Sequence, residues 1–423
     1  MMAQRPQGSM PQRYPRWSDL KAAYRLLSHP RVRPQWIARP HAVLTRRACG
    51  GHRLVLCVQD DTDLSAVKVR AGVHKQHSTL AVLPDGRLLG VLDACWFTRP
   101  RPAEDETRLE REVRWRESCV WTDAVAAVGA APAGCRFIHV ADRAADDLNV
   151  IEACVRQGVG FVIRARHDRR VNDPPHKLWS WLGDQPVAAT LTIEMTAQAG
   201  HHGRPARPSR MAQVSVRYSR VQLQPPWNHP GEHAPRTVTA VHLREDQPPA
   251  GQTPVDWMLL SDQAVACFDD ARRLIGYYQR RWVIEEWHRV LKEGCRLEAS
   301  QLDQADDLMR LAAILSVIAV RLLQLRDLAD PQPSDGRGDD PAALQQAVPT
   351  LWRLVVAELA QCDPARLTPR RFWRTIAHQG GYLGRQRDPR PGWKVIWLGW
   401  YDIMQMIRGA ELMQKTLTRQ TSG

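Results

Sequence analysis

A short segment, Tyr278–Lys292, carries an acid, two cations and a phenol at spacings suited to phosphate chemistry. Arg281, Glu285 and Lys292 follow Tyr278 at offsets of three, seven and fourteen, and in one continuous α-helix these positions share a stripe of about 60°. Glu285 would offer hard oxygen to Mg²⁺, while the cations and the phenol would hold phosphate oxygens. The same spacing also fits a solvated, salt-bridged helix face, because Arg281 and Glu285 stand at i and i+4. The helix alone leaves both interpretations open.

Two aspartates upstream add to this set of carboxylates. Asp60 follows the apolar run Leu54–Val58 and Asp142 follows Phe137–Ala141, and both runs predict buried strands. Phosphodiester chemistry with two metal ions needs about three carboxylates that converge from different elements. Asp60, Asp142 and Glu285 are therefore the candidate catalytic residues and metal ligands. An aspartate after a strand is also a common cap of a helix or turn, so either aspartate alone would be weak evidence.

The composition favours a polyanionic partner. The chain has 423 residues, 43% hydrophobic content and a formal net charge of +14. It is therefore long enough for two or three domains with real cores, and its surplus of Lys and Arg is typical of phosphate binding. Two basic runs, Arg166–Arg170 and Arg370–Arg371, could follow a DNA backbone. They could equally be solvated surface.

The sequence predicts a cytoplasmic protein. Its nine cysteines include no CxxC pair and no cluster at zinc spacing, which indicates small core residues in a reducing compartment and no zinc site. The N-terminus, Met1–Trp17, lacks the apolar run of a signal peptide. The most apolar helix, Leu311–Leu325, is interrupted by Arg321, so no membrane span and no membrane partner are expected.

The periodicity of apolar residues predicts alternating strands and helices and therefore an α/β fold. The predicted strands are 54–58, 78–83, 88–97, 137–141, 160–166 and 255–260, and the predicted helices are 108–128, 146–156, 269–292 and 307–328.

Shifts in composition predict the domain organisation. Residues 1–16 are expected to be a disordered leader and 17–50 a helical N-terminal segment. A catalytic domain spans 51–330 and contains a β-rich insertion at about 167–255. A linker at 331–341, rich in Pro, Gly and Asp, precedes a helical C-terminal domain at 342–416.

The segment that carries Glu285 also carries a family resemblance. Tyr278–Lys292 matches Y-x2-R-x3-E-x6-K, the signature of the IS-four family of DDE transposases. Upstream, Gln59–Thr62 resembles the first-aspartate motif of that family, and Ala141–Asp146 resembles its D-R-x-x-D motif. The similarity continues, with gaps, from about residue 18 to 416, and it includes the segments 309–326, 376–382 and 393–400.

The resemblance implies an RNase H-like core, a mixed five-stranded sheet with helices, in which Asp60, Asp142 and Glu285 bind two Mg²⁺ ions, with Mn²⁺ as a substitute. The family motif has Thr where this chain has Asp61, so Asp61 stays open as the first ligand. The tryptophans of the family stack a flipped base, although in a chain with 16 Trp core packing is the alternative. The DNA-binding residues that the resemblance implies are Arg164, Trp257, Tyr278, Arg281, Trp282 and Lys292.

The resemblance also implies cut-and-paste DNA transposition by strand nicking, hairpin formation and strand transfer. The implied partners are double-stranded DNA, as transposon ends and target, and a second copy of the chain in a homodimer formed through 342–416. Such a protein would associate with the bacterial nucleoid. Because the resemblance begins near Trp17, without the end-recognising segment of the family, the alternative is a truncated protein that dimerises with full-length transposase and inhibits it.

Overall fold

The computed structural model describes residues 2, 8–69, 72–99, 107, 115–172, 174, 176–195, 209–225, 234–329, 339–385, 388 and 391–421. These residues form a mixed α/β structure with one large sheet, helices on both of its faces and a helical C-terminal region. The strands are β1 (Leu54–Leu64), β2 (His74–Val82), β3 (Leu88–Thr98), β4 (Arg136–Ala141), β5 (Gly160–Arg164), β6 (Arg170–Val171), β7 (His176–Lys177), β8 (Ala189–Met195), β9 (Arg210–Leu223), β10 (Arg236–Arg244) and β11 (Asp256–Ser261). The helices are α1 (Met10–Arg13), α2 (Trp17–Leu27), α3 (Pro34–Cys49), α4 (Cys119–Val128), α5 (Leu148–Arg156), α6 (Leu178–Gly183), α7 (Phe268–Gln279), α8 (Trp282–Arg289), α9 (Ala305–Ala329), α10 (Pro341–Ala347), α11 (Thr350–Leu359), α12 (Pro369–Gln379) and α13 (Trp393–Thr421).

The sheet is mixed, as the family resemblance implies. Its strand order is β3-β2-β1-β4-β5-β11-β10-β9-β6-β7, and β8 pairs with β9. The neighbours β1, β4 and β5 are parallel, and the other pairs are antiparallel. The parallel strands lie near the middle of the sheet, where helices cover both faces.

Alternation of buried side chains along the central strands divides the interior into two cores. In β1, Leu56 and Val58 belong to the core that contains α7, α8 and α9, whereas Val55 and Cys57 belong to the core that contains α4 and α5. Successive side chains of a strand point to opposite faces, so neighbouring residues in β1 serve opposite sides of the sheet.

The β-rich insertion is not separate from the main sheet. Strand β11 pairs with β5, where Leu259 faces Arg164, and also with β10, where Trp257 faces Leu243. The strands between 167 and 255 therefore extend the central sheet, because β11 is hydrogen-bonded on both of its edges.

The expectation of a disordered leader is wrong for residues 10–13. They form α1, and Arg13 is 4% exposed and donates to the carbonyl oxygen of Cys295 at 2.7 Å. The next helices are also fixed to the body of the protein, because Arg310 of α9 donates to the carbonyl oxygens of Leu27 and Val32 at 2.8 and 2.6 Å. The N-terminal segment thus packs against the part of the chain that contains Cys295 and α9.

The predicted helix 269–292 is divided. Helix α7 ends at Gln279, and a turn at Arg280 and Arg281 leads into α8. In this turn the backbone N–H of Arg281 donates to the carbonyl oxygen of Tyr278, three residues back rather than the four of an α-helix. After Arg289 the chain continues as a π-helical turn, Val290–Gly294. The apolar pattern of the segment is the same for a straight and for a divided helix, so periodicity could not reveal the break.

The C-terminal region has a hydrophobic cluster of its own. Phe372 and Ile376 of α12 pack there with Val356 of α11 and Ile403 of α13. Helix α13 extends to Thr421, past the predicted end at 416. The predicted linker falls mostly on 331–338, and the start of the predicted helix 108–128 on 108–114; both stretches lie outside the described residues.

No helix in the described ranges has both the length and the apolar character needed to cross a membrane.

Candidate active site

The carboxyl group of Asp60 lies where the parallel pairing of β1 stops. Pairing with β4 ends at Val58, whereas antiparallel pairing with β2 continues to Leu64. The sequence predicts Asp60 at the end of its strand. In the structure it lies inside a longer strand, which at this point pairs with β2 along one edge only. Its position in this strand is fixed by backbone hydrogen bonds on that edge.

Arg281 joins Asp60 to Glu285. Its Nη1 lies 3.1 Å from Oδ2 of Asp60, and its Nη2 donates to Oε1 of Glu285 at 2.7 Å. The side chains of Asp60 and Arg281 are 15% and 14% exposed, while that of Glu285 is 40% exposed. The guanidinium group thus lies between one carboxylate from the sheet and one from α8. Of the two interpretations of the Arg281–Glu285 spacing, a purely solvated helix face does not describe this buried arrangement.

Negative charge accumulates around Asp60. The pKa of Asp60 is raised to about 7: burial raises it most, Arg281 lowers it, and the carboxylates of Asp142, Glu285 and Asp61 add to the increase. Burial by itself would lower the pKa of Arg281, but Tyr278, Asp60 and Glu285 outweigh burial and the pKa is raised. Asp142 and Glu285 are therefore close enough to Asp60 to interact with it electrostatically.

Asp142 directly follows β4, as predicted. Its Oδ1 accepts a hydrogen bond from the backbone N–H of Ala144 at 2.8 Å, so it also caps the short 3₁₀ turn Arg143–Ala145. The capping and catalytic interpretations are thus compatible, because an ionised carboxylate has a second oxygen and further lone pairs.

Three further predicted residues form a continuous aromatic and cationic surface. Arg164 lies over the ring of Trp257 at 5.9 Å, and Trp257 meets Tyr278 edge to face with ring centroids 5.2 Å apart. Arg164 also donates to the carbonyl oxygen of Asp256 at 2.8 Å. Tyr278 is only 5% exposed, and its phenol interacts with the charge of Arg281. Tyr278 therefore links this surface to Arg281, which contacts Asp60 and Glu285.

Trp282 and Lys292 lie at the periphery of the cluster. Trp282 is 37% exposed, and Arg281 lies over its ring at 5.9 Å. Lys292 is in the π-helical turn, and its Nζ is 3.7 Å from Oε1 of Glu298. Lys292 is therefore paired with Glu298, and among the described residues there is no ion pair between Lys292 and Glu285.

The prediction that Tyr278, Arg281, Glu285 and Lys292 lie on one continuous α-helix is wrong. The turn at Arg280 and Arg281 separates α7 from α8, and Lys292 lies in a π-helical turn, which holds more residues per turn than an α-helix. Tyr278 and Glu285 are still brought near each other through Arg281, whereas the position of Lys292 depends on the π-helical turn.

Asp61 faces the opposite side of the sheet from Asp60. It forms an ion pair with Lys75, whose Nζ also lies 2.5 Å from Oε1 of Glu117. Glu117 accepts in turn from Nε of Arg99 at 2.5 Å. The sequence does not reveal this network, because Lys75 reaches Asp61 only through the pairing of β2 with β1, and Glu117 joins through Lys75 from a separate part of the chain.

Asp146 fixes the loop after β5. This side chain is fully buried, and its Oδ2 accepts from the backbone N–H groups of Arg166 and His167 at 2.7 and 2.9 Å. Its Oδ1 accepts from Nη2 of Arg169 at 2.7 Å. Arg169 of the first basic run therefore has a structural partner. The motif Asp142-Arg-Ala-Ala-Asp146 was the signal for this contact, although the sequence could not name the donors.

The donor chemistry of the cluster fits a hard divalent cation, but the ligand set is open in this conformation. Across the described ranges, no three His, Cys, Asp or Glu side chains stand close enough together to hold a metal ion. Arg281 occupies the space between Asp60 and Glu285. Their oxygens are of the type that Mg²⁺ prefers. Burial and the neighbouring carboxylates raise the pKa of Asp60, and a bound cation would oppose both effects by favouring the ionised form.

A scan against models of known protein families found no match for this chain.

Proposed function

We propose that this chain is a metal-dependent DNA transposase of the DDE type, with an RNase H-like core made of β1–β5. The observation that carries the proposal is the meeting of Asp60 from β1 and Glu285 from α8 on the guanidinium group of Arg281, with Asp142, which follows β4, close enough to raise the pKa of Asp60. Carboxylates that converge from separate elements are what phosphodiester chemistry requires.

Asp60, Asp142 and Glu285 would hold Mg²⁺ or Mn²⁺. When bound, two such ions activate water or a 3′-hydroxyl and stabilise the leaving oxygen. For the carboxylates to close around a cation, the guanidinium of Arg281 must leave the space between Asp60 and Glu285. A phosphodiester presents the same bidentate oxygen geometry as a carboxylate, so arriving DNA gives Arg281 a new partner.

The aromatic surface would hold the DNA strand next to the carboxylates. Trp257 is half-buried, and it is supported by Tyr278 on one side and by Arg164 over its ring. A supported indole offers a stacking platform for a base without reading its sequence. In this proposal Trp282, which is more exposed, covers the neighbouring backbone.

The partners proposed for this activity are transposon ends, target DNA and a second copy of the chain in contact through the helical C-terminal region. Nucleoid association follows from DNA binding.

The test is Mg²⁺-dependent nicking of duplex DNA that carries the terminal repeats flanking the coding sequence. Glu285→Gln removes one ligand charge with little change in shape, and Glu286→Gln removes the same charge one residue further along α8. We expect Glu285→Gln to lower the nicking rate at least about a hundredfold and Glu286→Gln to retain it. Equal rates for wild type and Glu285→Gln, or no cleavage by folded wild type with either Mg²⁺ or Mn²⁺, would refute the proposal.

A further inference from the structure

A cleft in the C-terminal region has a lining rich in arginine. It has a volume of about 450 Å³ and lies between the end of α11 and one face of α12. Its charged lining consists of Arg370, Arg371 and Arg374, and His378 lies at the far end. No carboxylate belongs to this lining as the structure describes it.

Two of the three arginines lie in the first turn of α12, where positive charge is least favourable. Thr368 caps α12 by accepting from the N–H of Arg371, so Arg370 and Arg371 are in the first turn. The positive end of the helix dipole lies there and disfavours cations. Arg374 is four residues from Arg370 and three from Arg371, a spacing at which like charges repel. An anion in the cleft would relieve both effects.

The three guanidinium groups are only partly neutralised by the protein. Arg371 donates to the carbonyl oxygen of Ala360 at 2.8 Å, which directs it along the wall of the cleft without removing its charge. Nη2 of Arg370 is 3.3 Å from Oδ2 of Asp339, and Nε of Arg370 is buried without a hydrogen-bond acceptor among the described residues. For Arg374, which is exposed, the described part of the chain provides neither a hydrogen-bond acceptor nor an ion pair.

We propose that this α12 cleft is a phosphate-binding site, separate from the carboxylate cluster, in which Arg370, Arg371 and Arg374 hold the oxygens of one phosphate group. Arginine offers paired donors in a planar fork that matches a tetrahedral oxyanion, and the N-terminus of α12 adds a favourable dipole. The phosphate is presented either by a nucleic-acid backbone or as a free ion. The inference goes beyond the proposed nuclease activity and does not depend on it.

The first test measures binding of a fluorescent DNA duplex of mixed sequence at several NaCl concentrations, without divalent metal. Arg374→Gln is the test variant, since no described contact is lost. Arg366→Gln, an exposed arginine of the same region outside the lining, is the matched control. A backbone phosphate in the cleft predicts about tenfold weaker binding for Arg374→Gln and a slope of log affinity against log salt that is smaller by about 0.9.

The second test detects a free phosphate ion. The melting temperature of each protein is measured in inorganic phosphate and in chloride at the same ionic strength. Stabilisation of wild type by phosphate that is reduced in Arg374→Gln and kept in Arg366→Gln, with no change in the salt slope for DNA, identifies the free ion as the ligand.

The proposal is overturned if Arg374→Gln matches Arg366→Gln in both assays, or if phosphate fails to stabilise wild type and the DNA salt slope is unchanged. Because neither assay contains a divalent metal, a negative result here says nothing about nicking. Conversely, the loss of nicking in Glu285→Gln leaves both readouts unaffected.

Discussion

At the scale of single residues, the two neighbouring aspartates of β1 have different surroundings. Asp60 contacts Arg281 on the α8 side, while Asp61 contacts Lys75 on the other face of the sheet. The sequence left both open as the first ligand, because two adjacent aspartates look alike until the strand is known to be extended there. Once β1 continues to Leu64, alternation sends them to opposite faces.

This difference predicts opposite outcomes for two isosteric variants. Asp60→Asn should lower the nicking rate at least about a hundredfold, because it removes charge from the carboxylate cluster. Asp61→Asn should keep a rate close to that of wild type and cost about 1 kcal/mol in the free energy of unfolding, since Lys75 retains Glu117. Nicking assays and urea unfolding of both variants check this. Loss of nicking in Asp61→Asn with Asp60→Asn active would reverse the assignment.

At the scale of elements, the sequence located the strands that carry Asp60 and Asp142 but not where β1 ends. The polar stretch after Val58 looks like the end of a strand, and only pairing with β2 keeps it extended to Leu64. The strand before Asp142 was predicted to within one residue, because it is mostly apolar and ends at Ala141. Tertiary pairing overrides local propensity in the first case and agrees with it in the second.

The loop after β5 gives a prediction at this scale. Asp146 accepts hydrogen bonds from two backbone N–H groups and from Arg169. Hydrogen bonds to a charged acceptor contribute more to stability than those between neutral groups. Asp146→Asn should therefore lower the free energy of unfolding by about 1.5–3 kcal/mol. Asp147→Asn is the control: Asp147 caps α5 by accepting from Asn149, and because Asn caps a helix as well as Asp does, the loss should stay below about 0.5 kcal/mol.

Urea unfolding of the two variants at pH 7 measures the difference. Equal losses would mean that the contacts of Asp146 contribute no more than an ordinary helix cap.

At the scale of the whole molecule, buried histidines connect stability to pH. Burial lowers the pKa of His77, His139 and His288 to about 3 each. An unfolded chain takes up these protons below about pH 6.5, whereas the folded chain resists until about pH 3. The unfolded state therefore binds more protons in this window, and the histidine contribution to stability is lost as the pH falls through it.

His77→Leu should reduce this acid sensitivity. Neither ring nitrogen of His77 has a hydrogen-bond partner among the described residues, and the ring packs edge to face on Trp121. The difference in unfolding free energy between variant and wild type should grow by up to about 1.4 kcal/mol per pH unit on acidification below pH 6.5. Asp60, whose pKa is raised, acts in the opposite direction in both proteins, so the difference between them is the readout. Parallel curves from pH 6.5 to 4.5 would contradict the assignment.

The continuity of the sheet has a mechanical consequence. Strand β11 is hydrogen-bonded to β5 of the central strands and to β10 of the insertion, and it carries Trp257. Strands joined by a backbone ladder are held in register by its hydrogen bonds, so the insertion cannot slide relative to the central strands without breaking the bonds on one side of β11 or the other. The insertion therefore acts as a rigid arm. A strand of nucleic acid bound along the insertion would therefore lie at a distance from the carboxylates that the fold determines.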